Sequence, residues 1–261
     1  MKMPIRLHRP ATTILALSLA AASCAHAGFV TWGAPQTIVD DNDVSIAGTL
    51  VVAHNLGRPG NASATVHGVT FTPFGTNAPV NTLGNVRMSA AANILGDNIN
   101  FGEIVSPFVD LSEEYQKLLQ SGSYTVGFFP PPNITLTLSG LNVGTPYQFQ
   151  WWANESSFFS FDPNAPAPAL PSTTATAGGS VSLVRTGLAP GSLGQFAIGS
   201  FTADAASQDI VFSGSDTKTL LSAFQLRAFP APPIPEPGAG LFALALSAVA
   251  FRSLSSRRRP L

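Results

Sequence analysis

Ile134-Thr-Leu-Thr-Leu-Ser139 and Tyr147-Gln-Phe-Gln-Trp-Trp152 are the two stretches whose reading decides the fold. In the first, Ile134, Leu136 and Leu138 occupy every second position, with Thr135, Thr137 and Ser139 between them. Successive side chains of a strand point to opposite faces, so this is a strand with one apolar and one hydroxylated face. The second places Tyr147, Phe149 and Trp151 on one face and Gln148, Gln150 and Trp152 on the other. Joined by Gly140 to Pro146, the two read as an antiparallel pair with one face buried.

Outward from this pair the pattern repeats in short segments. Thr49–Asn55 and Thr65–Thr72 are strand-like, with turn signals at Gly57–Gly60 and Pro73. Gln208–Ser213 and Leu220–Phe229 alternate so as to bury Ile210, Phe212, Phe224 and Leu226 and to show Asp209, Gln225 and Arg227 to solvent. One stretch reads as helix: Asp110 caps it, Glu113 completes a capping box, Leu111, Tyr115, Leu118 and Leu119 share a face, and Ser121-Gly122 stops it. Residues 162–179 are rich in Pro, Ala, Thr and Gly and read as a long loop. The expected fold is all-β, a jelly-roll-like β-sandwich with one short helix over residues 28–229, flanked by an N-terminal signal helix and a C-terminal hydrophobic helix.

The flanks read as addresses. Lys2, Arg6 and Arg9 precede the apolar run Ala11–Ala22, and Ala25-His26-Ala27 forms a small-residue cleavage site before Gly28, so residues 1–27 read as a signal peptide. Its implied partners are signal peptidase and the Sec export machinery. A rival reading makes Ala21-Ala-Ser-Cys24 a lipoprotein box with Cys24 acylated, although the usual leucine three residues before the cysteine is missing. At the other end, residues 230–237 are a proline-rich spacer. The spacer ends in Pro235-Glu236-Pro237, where the two rings fix φ and remove N–H donors, keeping the segment extended. An uncharged run of 14 residues, Gly238–Phe251, follows, then Arg252 and the cluster Arg257, Arg258 and Arg259. That run is short of the roughly 20 residues of a spanning helix. Continuing it to Ser256 closes the gap if Arg252 snorkels, and the arginines act as a membrane stop on the cytoplasmic side.

This ordered triplet of proline motif, apolar plug and arginine cluster resembles the PEP-CTERM sorting signal of Gram-negative bacterial surface proteins. The resemblance covers about a tenth of the chain, with Pro235, Glu236 and Pro237 matching the motif. It implies export, transient anchoring of a precursor in the inner membrane, recognition by an exosortase, and a final place on the cell surface or outside it, often with extracellular polysaccharide. The body shows a looser likeness, through Leu136–Gln150, Phe201–Ala205 and Ala223–Arg227, to jelly-roll bodies of other proteins in that family.

Composition narrows the rest. Between the flanks the chain has no cysteine, which excludes disulfides, thiolate metal sites and a cysteine nucleophile. The 13 acidic residues of the body outnumber its six basic ones, and a net acidic surface argues against nucleic acid. No G-x-S-x-G or S-x-x-K motif is present, and His54 and His67, the body's two histidines, fall in strand patterns. Glu103, Glu113, Glu114 and Glu155 form no glycosidase motif, although a polysaccharide-active enzyme stands as a third reading. Asp40, Asp41 and Asp43 are a weak candidate for Ca²⁺ that lacks EF-hand spacing; the plainer reading is a turn, with no cofactor. Trp152 beside Gln148 and Gln150 is a candidate platform for a sugar ring, unless a second layer covers that face. Trp32 reads as a core plug. The leading expectation is a non-catalytic surface or matrix protein; the alternative is a carbohydrate-binding module for exopolysaccharide.

Overall fold

The computed structural model describes residues 28–127, 130–157 and 169–230. Its strands are β1 (Thr31–Trp32), β2 (Gln36–Thr37), β3 (Thr49–Gly57), β4 (Ala64–Val66), β5 (Val69–Gly75), β6 (Ala78–Leu83) and β7 (Val86–Asp97). After helix α1 (Glu113–Gln120) come β8 (Gly122–Val126), β9 (Ile134–Ser139), β10 (Pro146–Ala153), β11 (Ser172–Ala177), β12 (Gly179–Val184), β13 (Gln195–Thr202), β14 (Ser207–Gly214), β15 (Lys218–Leu221) and β16 (Ala223–Ala228). One eight-stranded sheet runs β1-β13-β10-β16-β3-β5-β4 with β2 beside β13; the other runs β12-β11-β14-β9-β7-β8-β15 with β6 beside β7. The signal peptide, the spacer beyond Pro230 and the C-terminal segment lie outside the described residues.

The alternation that marks β9 and β10 as strands does not make them neighbours. β9 lies between β14 and β7, and β10 lies between β13 and β16. The expected antiparallel pair is therefore a crossover: Gly140–Thr145 carries the chain from one sheet to the other, using positive φ at Gly140 and Gly144 (71° and 84°). The apolar faces of the two strands meet across the core instead of side by side. There Phe149 stacks on Phe224 at 5.7 Å and Trp151 meets Phe212 edge-on at 5.0 Å, among Ile134, Leu136, Leu138 and Ile210. Burying one such side chain is worth about 1.5–3 kcal/mol, so this double layer is the main stabilising body.

A second core sits on the outer face of the first sheet. Trp152, Phe196 and Ala223 are covered there by Phe71 of β5, by Tyr115, Leu118 and Leu119 of α1, and by Ile38 and Val44 of the segment after β2. Four expectations are corrected by this layer and its surroundings. Gln225 and Arg227 are buried, because Arg227 donates to the carbonyls of Ile46, Ala47 and Gly48 at 2.7–3.0 Å and so rivets the covering segment down. The helix is capped by Ser112, whose hydroxyl accepts from Tyr115 N at 3.2 Å, while Asp110 closes the preceding 3-10 turn Phe108–Asp110. Thr65–Thr72 is the tight hairpin β4–β5, with His67 and Gly68 at φ 49° and 76° making the turn. Within the expected loop 162–179, Ser172–Ala177 is β11, a strand held between β12 and β14 with Thr173 and Ala175 buried; residues 158–168 are outside the described set.

Candidate functional site

The outer face of the first sheet changes character along its strands. Cross-strand rows place Phe196, Trp152 and Ala223 together, then Ile198, Gln150 and Gln225, then Ser200, Gln148 and Arg227, and last Thr202 with Pro146. Gln148, Gln150 and Trp152 thus share a face, as the alternation requires. The covering layer nevertheless takes two of the three away from solvent. Trp152 is fully buried, edge-on to Phe71 at 5.6 Å, and its Nε1 donates to Tyr115 Oη at 3.0 Å. Gln150 is also buried; its Nε2 donates to Asp43 O at 2.6 Å, and its Oε1 accepts from Ser45 N at 3.0 Å and from Gln225 Nε2 at 2.7 Å. Trp152 and Gln150 of the candidate sugar platform therefore belong to a polar and aromatic seam between layers, and Gln148 does not.

The acidic run has a similar structural employment. Asp40 and Asp43 form a reciprocal capping box around the 3-10 turn Asp41–Asp43. Asp41 accepts from Ser112 Oγ at 2.6 Å, and Asp43 accepts from Val39 N at 2.7 Å, Asp40 N at 3.1 Å and Tyr115 Oη at 3.2 Å. Burial raises the Asp43 carboxyl above the usual range, opposed by those donors, and burial followed by the Asp43 charge raises the Tyr115 phenol well above its ordinary value. The carboxylates turn to separate partners, and among the described residues no cluster of three or more His, Cys, Asp or Glu side chains is placed to hold a metal. Asp40, Asp41 and Asp43, the weak Ca²⁺ candidate of the sequence, form this hydrogen-bonded turn.

Gln148 is the predicted residue that remains at the surface. The covering segment stops at Gly48, and beyond it Thr31, Gln148, Ser200 and Thr202 line a groove of about 480 Å³ flanked by Phe29 and Phe229. Phe29 is 66% exposed, and Gln148 is half-buried, its Oε1 accepting from Ser45 Oγ at 2.7 Å. Beneath the strip Tyr147 stacks on Phe201 at 5.5 Å and forms its floor. Hydroxyls and an amide between two aromatic walls are able to hydrogen-bond and to pack against a flat, hydroxyl-rich ligand. The groove also joins the two ends of the described body, Phe29 following Gly28 and Phe229 preceding Pro230. Spacing along one sequence carries no signal for that meeting. Gly28 itself is buried, so close to β13 that a Cβ there would stand 3.1 Å from Thr202 O. Ala25, Ala27, Pro235, Glu236, Pro237, Arg252, Arg257, Arg258 and Arg259 lie outside the described residues; none of the described helices is long and apolar enough to cross a membrane.

No protein-family model and no curated protein matches the chain. A solved structure described as the structural basis for the promiscuous specificity of carbohydrate-binding modules from the beta-sandwich superfamily aligns with 76% of this chain and 99% of its own, at 13% identity and a TM-score of 0.16. Agreement that slight carries no argument about fold detail or ligand.

Proposed function

We propose that this chain is an exported surface or extracellular-matrix protein without catalytic activity, built as a jelly-roll-like sandwich on a proline spacer. Residues 1–27 would direct export, and Pro235-Glu236-Pro237 with the segment 238–261 would hold the precursor in the inner membrane until an exosortase acts. The observation that carries this reading is the shared groove of Phe29 and Phe229. The described ends, Phe29 and Phe229, lie at one pole, so a tether attached there would hold the body by an edge and leave its other faces clear of the membrane. Export of the full chain alongside a variant lacking Pro235–Leu261 tests it. The full chain should fractionate with the membrane and surface and its mature mass should lack both ends, while the truncated chain should appear in the medium; the same location for both would sink the proposal.

A second reading, binding of extracellular polysaccharide, is favoured by one observation: two aromatic rings bracket Thr31, Gln148, Ser200 and Thr202 in a single groove. Retention on insoluble glycans should fall with Phe29→Ala and Gln148→Ala. Equal retention of these variants and the parent would remove this reading without touching the first.

A further inference from the structure

Away from the groove at the pole, the sandwich is open along one edge. The hairpin of β6 and β7, turning at Gly84 with φ 56°, belongs to the second sheet, while β3 belongs to the first. Between them lies a cleft of about 480 Å³. Its floor is Val86, Leu138 and Leu226, each 2% exposed or less, and its mouth carries Val51 and Leu83, 51% and 46% exposed. Such a cavity lies within the usual size of a small-molecule site, and its walls are mostly hydrocarbon.

One polar group of the body is set into that hydrocarbon without a full set of partners. His54 lines the cleft and is only 4% exposed, its ring held edge-on by Phe74 at 5.3 Å and Phe224 at 5.5 Å. Nδ1 lies 3.2 Å from the Thr72 carbonyl and 3.0 Å from Thr72 Oγ1, and that hydroxyl donates its own proton to Ala53 O at 3.2 Å. A carbonyl only accepts, and with the hydroxyl directed at Ala53 O the network assigns the proton between His54 and Thr72 to Nδ1. Nε2 is then a bare acceptor, and among the described residues nothing donates to it. Burial holds the imidazole below its ordinary pKa, against a smaller opposite pull from the Thr72 carbonyl, so the ring is neutral at pH 7.

We infer that this cleft is a binding site for a neutral molecule with a slender apolar body and one hydrogen-bond donor, a hydroxyl or N–H, seated on His54 Nε2. Leu138, Val86 and Leu226 would take the hydrocarbon. A carboxylate is disfavoured because it offers the bare nitrogen no proton and would have to be desolvated beside it. The inference is independent of where the chain resides, and its site shares no residue with the groove of the glycan reading.

The purified full chain titrated with 4-butylphenol and with its isomeric ether, 4-propylanisole, tests the site by calorimetry and by the ring-nitrogen NMR signals of His54. The phenol should bind and move the unprotonated Nε2 signal. The ether, isomeric with the phenol and equal to it in carbon count but unable to donate, should bind about five-fold more weakly, the typical worth of one net hydrogen bond. His54→Phe should bind the two probes equally, and Leu83→Trp, an exposed position at the mouth, should lose both while the fold is kept. Absence of binding, equal affinities on the parent chain, or phenol binding that survives Leu83→Trp would each overturn the inference.

Discussion

Replacing Trp152 with alanine separates a core residue from a ligand platform more sharply than any binding assay. The indole is fully buried in the second core, edge-on to Phe71 at 5.6 Å and tilted over Phe196 at 6.2 Å, and its Nε1 donates to Tyr115 Oη at 3.0 Å. Truncating a buried aromatic of this size costs about 3–5 kcal/mol once the cavity is included. Trp152→Phe keeps one ring but forfeits the second ring's burial and one hydrogen bond, about 2–3 kcal/mol together. Gln148→Ala removes one half-exposed hydrogen bond and should cost about 0.5–1 kcal/mol. Urea unfolding of the three variants should give midpoints in that order at an unchanged slope. For a body of this size, Trp152→Ala should lower Tm by roughly 6–20 °C. Because Tyr115 belongs to α1, amide exchange in that helix should rise more than in β9, which lies in the other sheet. A Trp152→Ala chain within 1 kcal/mol of the parent would mean that the ring is not packed as described.

Trp151 offers an internal control: it is as buried as Trp152, but its Nε1 has no partner among the described residues. Trp151→Phe should therefore cost less than Trp152→Phe in the same denaturation series, since it also removes an unsatisfied donor. Glu155 and Arg185 are buried with Nε 3.2 Å from Oε2, an ion pair out of line for a hydrogen bond, and Arg185 also reaches Asp216 while Lys218 reaches Glu155. Glu155→Ala leaves the buried guanidinium with the part-exposed Asp216 as its one anionic partner beside the Lys218 carbonyl and should cost about 3–5 kcal/mol; Arg185→Met, which leaves Glu155 its Lys218, should cost less, and a reversed order by urea titration would refute the pairing. Asp97 is buried, which pushes its carboxyl up, but the N–H groups of Ile99 and Asn100 and the Arg58 guanidinium outweigh this and hold it below the ordinary 3.8. A lowered folded-state value gives stability that is present above pH 3.8 and lost as pH falls through the folded value. Asp97→Asn should hence be less stable than the parent at pH 7, with the gap closing toward pH 2–3; a gap independent of pH would contradict the assignment.

Period-two alternation was enough to recognise β9, β10, β14 and β16 in the sequence, because burial of one face of a strand is written in every second residue. Strand partners are not written there. A hairpin and a pair of strands facing each other across a core demand the same apolar face, and only the path of Gly140–Thr145 distinguishes them. β11 was hidden by composition: Ser172-Thr-Thr-Ala-Thr-Ala177 looks like linker, yet in a central strand a small side chain packs as well as a large one. The burial of Gln150, Gln225 and Arg227 was misread for another reason. Polar residues on alternate positions ordinarily face water, and here the backbone of residues 43–48 satisfies them instead. The one sequence feature that argues for a third layer is Trp151-Trp152, since consecutive large rings place apolar bulk on both faces of a strand, which a sheet wet on one side does not tolerate.

That third layer also explains why the groove lies where it does. The segment from Ile38 to Gly48 can cover the first sheet only as far as its backbone carbonyls find donors, and the last of these is Arg227, which binds Ile46, Ala47 and Gly48. Beside it in the same cross-strand row stand Gln148, Ser200 and Thr31, polar groups that line the groove. The body therefore ends its insulation at the same pole where Phe29 and Phe229 come together. If Arg227 sets that limit, Arg227→Met should release residues 45–48, raise their amide exchange and expose Gln150, while leaving the Trp152 seam under α1 intact. Loss of protection across both regions at once would show that the layer is a single unit and that Arg227 does not define its edge.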